Sequence, residues 1–176
     1  MIMSNNIQGF VKELEFEEAL TNHLLQHGWS EVIKNPTEEE LVQNWANIIY
    51  DNNRGVDQLG SHPLTASEMQ QVIDQVNLCD SPYAINNLIN GQQLCIKRDC
   101  QEDRNNYGKT VYLKIFDPKE ISAGQSRYQI VRQPKFKTKE AMAGDRRGDL
   151  MLLINGMPVI HMALIHSCRG RRSTLC

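Results

Sequence analysis

The residue best placed for chemistry is Asp149, an acid that opens a long apolar stretch near the end of the chain. Residues 150–154 are apolar, Asn155-Gly156 follows, and a second run rich in Val, Ile and Leu continues to residue 165. An Asn-Gly step between two such runs predicts a β-hairpin. Both arms are apolar at successive positions, which is typical of central strands buried on both faces. Asp149 then lies at the mouth of the first strand, where its carboxylate stays solvated.

The register of this hairpin decides which residue faces Asp149, and two registers are open. A two-residue loop pairs Asp149 with Met162 and turns Ala163 to the opposite face, because side chains alternate along a strand. A three-residue loop over residues 155–157, with a bulge, instead sets Asp149 across from Ala163. Their Cβ atoms are then roughly 5 Å apart, and Ile165 shares their face.

Other side chains that could take part in catalysis or metal binding lie on a predicted amphipathic helix over residues 13–27. Taken alone, Glu17 and Glu18 fit the role of acids near a helix N-terminus, which favour the helix dipole. His23 and His27 are four residues apart, as two metal ligands on one helix face are. Because no third ligand accompanies them in the pattern, we interpret them as solvated histidines.

The segments between these two stretches must position them. Capping boxes predict helices that begin at Thr37 and Thr65, and Ser81-Pro82 predicts a fourth helix. The apolar period then changes from that of a helix to that of a strand, which predicts half-buried antiparallel strands around residues 94–97, 111–116 and 128–132. The sequence therefore predicts an α/β (α+β) fold with a helical part, residues 13–91, and a sheet that includes the hairpin, residues 92–165.

Basic residues accumulate around Asp149, at Arg132, Lys135, Lys137, Arg146 and Arg147. Such a group can form a rim that holds the phosphates of a nucleic acid. The alternative is a solvated sheet face whose lysines blunt an edge, and the sequence alone leaves both open. A net charge of −2 gives no global attraction to nucleic acid, so any DNA contact must use a local patch of this kind.

Composition narrows the class of protein. The hydrophobic content of 40% and charged content of 23% are ordinary for a soluble globular domain. No apolar run approaches the roughly 20 residues of a membrane helix, and the N-terminus lacks a secretory signal. The five cysteines show no paired spacing for zinc. We therefore expect a cytoplasmic protein without membrane contact, flexible over residues 1–12 and with a disordered basic tail over residues 166–176.

Several stretches together resemble the N-terminal nuclease region of type I restriction enzyme R subunits, a branch of the PD-(D/E)XK nucleases. The likeness runs from about Phe16 to His161. The stretches that carry it are Phe-Glu-Glu-Ala-Leu-Thr-Asn-His-Leu-Leu-Gln-His-Gly-Trp, Lys-Asn-Pro-Thr-Glu-Glu-Glu-Leu, Pro-Leu-Thr-Ala-Ser-Glu-Met-Gln-Gln, Tyr-Gln-Ile-Val-Arg-Gln and Arg-Arg-Gly-Asp-Leu-Met-Leu-Leu-Ile-Asn-Gly-Met-Pro-Val-Ile-His.

This resemblance implies a restriction-endonuclease-like mixed sheet of about five strands, flanked by the N-terminal helices. It implies that Asp149 binds Mg²⁺ and that Glu17 faces the active site. The family's Glu-x-Lys, a second metal-binding carboxylate and a lysine, falls on Ala163 and Ile165, and neither residue can do that work. Because such groups act as a unit, we expect the chain not to be a competent nuclease, with Mg²⁺ bound weakly or not at all.

The resemblance also implies partners, namely double-stranded DNA and the methylase and specificity subunits of a restriction complex. An alternative is a non-enzymatic, degenerate domain that binds DNA or docks on other restriction subunits. The likeness stops after His161, and a break in the reading frame would account for both the lost Glu-x-Lys and the altered end. The chain has no GxxxxGK[ST] loop, so it carries no ATP site of that kind.

Overall fold

The computed structural model describes residues 3–54, 59–116, 126–136, 146–147 and 149–162, with the backbone alone for residues 3–13, 146 and 147. The described helices are α1 Met3–Gln26, α2 Glu38–Asn53, α3 Ala66–Asn77 and α4 Pro82–Ile89. The described strands are β1 Glu31–Lys34, β2 Gln93–Lys97, β3 Thr110–Lys114, β4 Tyr128–Arg132, β5 Lys135–Phe136, β6 Arg146–Arg147, β7 Leu150–Ile154 and β8 Met157–Met162. None of these helices is long and apolar enough to cross a membrane.

The predicted helix starts are confirmed where side-chain capping defines them. Thr37 and Thr65 each accept a hydrogen bond from the backbone N–H three residues on, and the glutamates there, Glu40 and Glu68, accept from the cap N–H in return. Ser81 caps α4 ahead of Pro82.

The first helix is longer than its apolar stripe predicts. It ends at Gln26, two residues before Gly28, whose φ of 97° stops it as predicted. It begins at Met3, however, and not at Glu13. Residues 3–12 are thus part of α1. Once the later turns of the helix are packed on the sheet, each further residue can extend the helix without a new nucleation step.

A four-stranded mixed sheet, in the order β1-β4-β7-β8, forms the centre of the fold. β1 runs parallel to β4, and the other neighbours are antiparallel. On one face of β4 and β7, Ile130, Leu150 and Leu152 pack with Leu20 and Leu24 of α1. Their neighbours Val131, Met151 and Leu153 point to the other face and pack with Leu41 of α2. The predicted α/β class is confirmed, with α1 and α2 on opposite faces of the sheet.

Burial differs from the prediction on two strands. β7 is buried along almost its whole length, as predicted for a central strand, but residues 158–161 of β8 are exposed. β8 is an edge strand, because no described strand pairs with its outer side. β4 was predicted to have one wet face, yet its three middle residues are all buried because helices cover both sides of the sheet.

β2 and β3 form a separate two-stranded sheet and do not join the central one. Side-chain amides occupy both of its outer edges. Gln71 and Gln75 of α3 each donate to and accept from the backbone of β2, at Lys97 and Cys95. Asn53 of α2 does the same for Lys114 of β3. These edges already have hydrogen-bond partners, and among the described residues the central sheet has four strands with the β2–β3 pair beside it, in agreement with the predicted mixed sheet.

An ionic cluster centred on Arg98 ties this small sheet to α3. The Arg98 side chain is fully buried and pairs with Glu68 at 2.7 Å and with Asp103 at 3.3 Å. Burial raises the pKa of Asp103, but hydrogen bonds from Asn106 and Arg98 outweigh it, so this pKa lies below its ordinary value. The cluster lies in the β2–β3 half of the fold and has a structural role.

The turn of the β7–β8 hairpin has two residues, Asn155 and Gly156, with φ of 51° and 81°. Positive φ at both positions defines the turn that matches strand twist. Asn155 is buried, and its side chain accepts from Arg127 N–H at 2.9 Å and donates to the Ile115 carbonyl at 3.2 Å. These two bonds join the turn to the start of β4 and the end of β3, which explains an asparagine at this position.

The hairpin register combines features of both predicted alternatives. Ile154 pairs with Met157 across a two-residue turn. A bulge in β8, where Leu153 pairs with Pro158 and Leu152 with Ile160, then shifts the pairing by one residue. Leu150 therefore lies across from Met162, the register that an Asp149–Ala163 pairing requires. The three-residue loop was wrong, because Met157 is already in β8. Ala163 and Ile165 lie outside the described residues, as do Lys137 and the tail.

Gly156 also lets the turn approach α2. A Cβ at this position would lie 2.8 Å from Trp45 Cδ1 and 2.9 Å from Trp45 Cα. We expect Gly156→Ala to lower the free energy of unfolding by roughly 2–5 kcal/mol, because left-handed strain and overpacking add. Urea denaturation followed by circular dichroism measures this loss.

The matched control is Gly60→Ala, since Gly60 has a φ of +56° but open space around its Cβ position. This control isolates the backbone strain, and we expect it to cost roughly 1–2 kcal/mol. Equal losses in the two variants would show that the turn does not pack against Trp45.

Candidate active site

Asp149 lies immediately before β7 and is partly exposed, at the mouth of the strand as predicted. Its backbone carbonyl accepts a hydrogen bond of 3.0 Å from the N–H of Gln133, the residue that follows β4. The antiparallel pairing of β4 with β7 continues to Arg132 and Leu150, so these two strand ends are adjacent. Asp149 is therefore held beside the last residues of β4.

Glu17 comes to the same place from α1. Only 6% of the residue is exposed, and its carboxylate accepts from Arg132 Nη2 and from Gln133 Nε2, each at 3.4 Å. The role of an acid at a helix N-terminus does not apply, because Glu17 lies in the middle of α1. Packing of Leu20 and Leu24 against the sheet fixes the helix face that carries Glu17. The structure thus brings Glu17 into contact with Arg132 and Gln133, at the strand end whose backbone bonds to Asp149.

Gln133 connects the two acids, and sequence reasoning missed it. Its backbone N–H bonds to Asp149 and its side chain bonds to Glu17. Its φ is +51°, a left-handed conformation that a non-glycine residue adopts at a cost. A glutamine at the end of a strand carries no signal of this role, because both of its partners are distant in sequence.

Four of the five basic residues of the predicted rim have a described backbone position near the end of β4. The side chain of Arg132 is only 19% exposed and its guanidinium contacts Glu17. In the two-stranded β5–β6 ladder, Lys135 lies across from Arg147, and Phe136 across from Arg146. The backbone of this ladder therefore places three basic positions, Lys135, Arg146 and Arg147, close in sequence or in pairing to Asp149.

The acids and histidines that the structure describes do not fit the magnesium site that the family resemblance implies. The part of the chain that the structure describes holds no group of three His, Cys, Asp or Glu residues placed to bind a metal ion. Glu17 already has a cation as its partner. His23 and His27 contact each other, with ring centroids 4.1 Å apart, and His27 Nδ1 lies 2.7 Å from the His23 carbonyl oxygen. The histidine pair therefore forms part of α1 and is not a ligand set with the acids.

A groove of about 600 Å³ lies elsewhere, between α2, α4 and the turn end of the hairpin. Apart from Glu38 and Cys79, the described residues that line it carry no titratable group. It contains none of the acids discussed above, so this groove is separate from the candidate site at the Asp149 end of the sheet.

Comparison with known proteins gives the family of the chain. A family model described as the type I restriction enzyme R protein N terminus matches residues 11–163. The endonuclease subunit of a type I restriction enzyme from Staphylococcus saprophyticus is 27% identical over 160 residues, which are 88% of this chain and 15% of that protein. A corresponding endonuclease subunit from Staphylococcus aureus is 27% identical over 159 residues.

The chain thus spans about 15% of the length of these relatives. The matched region includes the part of α1 that carries Glu17, the end of β4 and the whole described hairpin. Since the family model covers most of the sequence, the chain belongs to the family of type I restriction enzyme R protein N-terminal domains.

Proposed function

We propose that this chain is the nuclease-domain portion of a type I restriction enzyme R subunit and that, as it stands, it does not cleave DNA. The family chemistry is Mg²⁺-dependent cleavage of double-stranded DNA. Two features support this lineage. The similar proteins are named endonuclease subunits, and Asp149 lies at the mouth of a hairpin strand, where its backbone bonds to the same Gln133 whose side chain bonds to Glu17. In an intact complex, methylase and specificity subunits would be its partners.

The observation that carries the loss of cleavage is the composition of the acidic site. Phosphodiester hydrolysis of this kind needs a hard cation held by carboxylates, which polarises the phosphate and lowers the pKa of bound water. A nearby lysine stabilises the charge that develops. Here Glu17 is paired with Arg132, and the family's Glu and Lys positions are Ala163 and Ile165.

We expect no cleavage of supercoiled plasmid in Mg²⁺ or Mn²⁺, because groups that act as a unit in catalysis fail together. An agarose-gel nicking assay with the purified chain measures this. The variants to compare are Asp149→Ala and, as a control, Asp51→Ala, whose partly exposed carboxylate pairs with Arg127 at 3.0 Å. Robust cleavage that Asp149→Ala abolishes and Asp51→Ala preserves would contradict the proposal.

A second candidate function is binding of double-stranded DNA without cleavage. The β5–β6 ladder favours it, because it places Lys135 and Arg147 across from each other beside Asp149. Phosphate contacts from such residues give affinity that is independent of sequence and falls with salt. Docking on other restriction subunits is the remaining alternative, and it does not require this affinity.

Lys135→Ala should weaken binding to any duplex by a similar factor and reduce the slope of log affinity against log salt by about 1. Fluorescence anisotropy with two unrelated duplexes at several salt concentrations measures both effects. Lys97→Ala is the control, because Lys97 is exposed on the separate β2–β3 sheet. A chain that does not bind DNA at low salt, or that loses as much from Lys97→Ala, would favour docking instead.

A further inference from the structure

We propose that the Arg132 guanidinium is an internal cation that takes the place of a divalent metal at the acidic site. The guanidinium lies 3.4 Å from the Glu17 carboxylate and belongs to a side chain that is 19% exposed. The Glu17 side chain is 7% exposed, so the pair is largely removed from water. Gln133 donates a further hydrogen bond to the same Glu17 oxygen, also at 3.4 Å.

The physical reason is the cost of burying a carboxylate. A buried charge needs either a counter-ion or a metal, together with hydrogen bonds for its remaining lone pairs. Arg132 supplies the counter-ion and Gln133 the added hydrogen bond. An arginine side chain is a permanent cation in proteins, so the counter-ion is supplied by the chain itself.

The same arrangement opposes a divalent cation. A metal bound between Glu17 and Asp149 would lie close to the fixed positive charge of Arg132, and like charges repel strongly where water is scarce. It would also have to displace the guanidinium from Glu17. Arg132 is the last residue of β4, and the ladder with β7 fixes its backbone across from Leu150. The guanidinium therefore starts from a fixed point close to the site.

This inference rests on the proposed function, because the proposed function identifies the Asp149 end of the sheet as the acidic site. Its test measures metal binding and not cleavage, so the two can fail separately. A chain that does not cleave DNA but binds Mn²⁺ tightly would overturn the inference alone. A chain that cleaves DNA would overturn the proposed function.

The experiment is a titration of each purified variant with Mn²⁺, in which electron paramagnetic resonance measures the free ion. Arg132→Gln removes the charge and keeps much of the side-chain volume. We expect it to bind Mn²⁺ at least about tenfold more tightly than the wild-type chain, because the energy of the charged hydrogen bond no longer competes with the metal. Arg132→Lys, which keeps the charge, should stay close to wild type.

Two further variants make the result specific. Arg127→Gln removes the same charge at the other end of β4, where Arg127 forms an exposed pair with Asp51, and we expect no change in Mn²⁺ binding. The double variant Glu17→Gln with Arg132→Gln should return to wild-type affinity, because the freed carboxylate is gone. Circular dichroism confirms that each variant is folded.

Three results would overturn the inference. One is tight binding of Mn²⁺ to the wild-type chain, provided that Glu17→Gln or Asp149→Asn abolishes this binding. This result does not require that the Arg132→Gln variant folds. Another is a folded Arg132→Gln variant with unchanged affinity. The third is an equal gain in Arg127→Gln, which would reflect net charge and not the contact with Glu17.

Discussion

The ion pair between Arg132 and Glu17 is the contact on which the acidic end of this fold depends. It joins the first helix to the end of a central strand, across 115 residues of sequence, and it compensates a carboxylate that is almost fully buried. Gln133 extends the same connection to Asp149 through its backbone. One charged group and one amide thus add polar links between the helix, the strand end and the mouth of the hairpin, which apolar packing and the β4–β7 ladder already bring together.

Side-chain amides also decide the architecture elsewhere. Asn53 and two glutamines of α3 satisfy the outer edges of β2 and β3, so these strands form a closed pair beside the central sheet. Asn155 plays a similar part at the hairpin turn, where it bonds to the start of β4 and to the end of β3. A backbone edge that has an amide as its partner has no need of a further strand.

The sequence predicts the local features of this fold well. Capping at Thr37 and Thr65, the end of α1 near Gly28 and the Asn-Gly turn all follow from residues that are neighbours in the chain. The resemblance quoted from the sequence is confirmed by the family match. The alternation of buried and exposed residues in β2 and β3 is confirmed too, because it depends only on strand period.

Features that depend on distant partners could not be predicted in this way. The parallel pairing of β1 with β4 and the separation of β2–β3 both arise from contacts between remote segments. From the sequence, Arg132 is predicted to bind phosphate as part of a basic rim. Only the position of α1 shows that its guanidinium contacts Glu17. Gln133 belongs to a stretch that carries the family resemblance, but nothing in the sequence shows its bonds, since they require a left-handed backbone and two acids from elsewhere.

The central claim is that a protein cation, and not a metal ion, compensates Glu17 in this member of the restriction-enzyme family. Crystals grown in manganese and measured at an X-ray wavelength near the manganese edge test it most directly. The account predicts no anomalous peak beside Asp149 and a guanidinium of Arg132 in contact with Glu17. An ion that bridges Glu17 and Asp149, with Arg132 turned away, would contradict it.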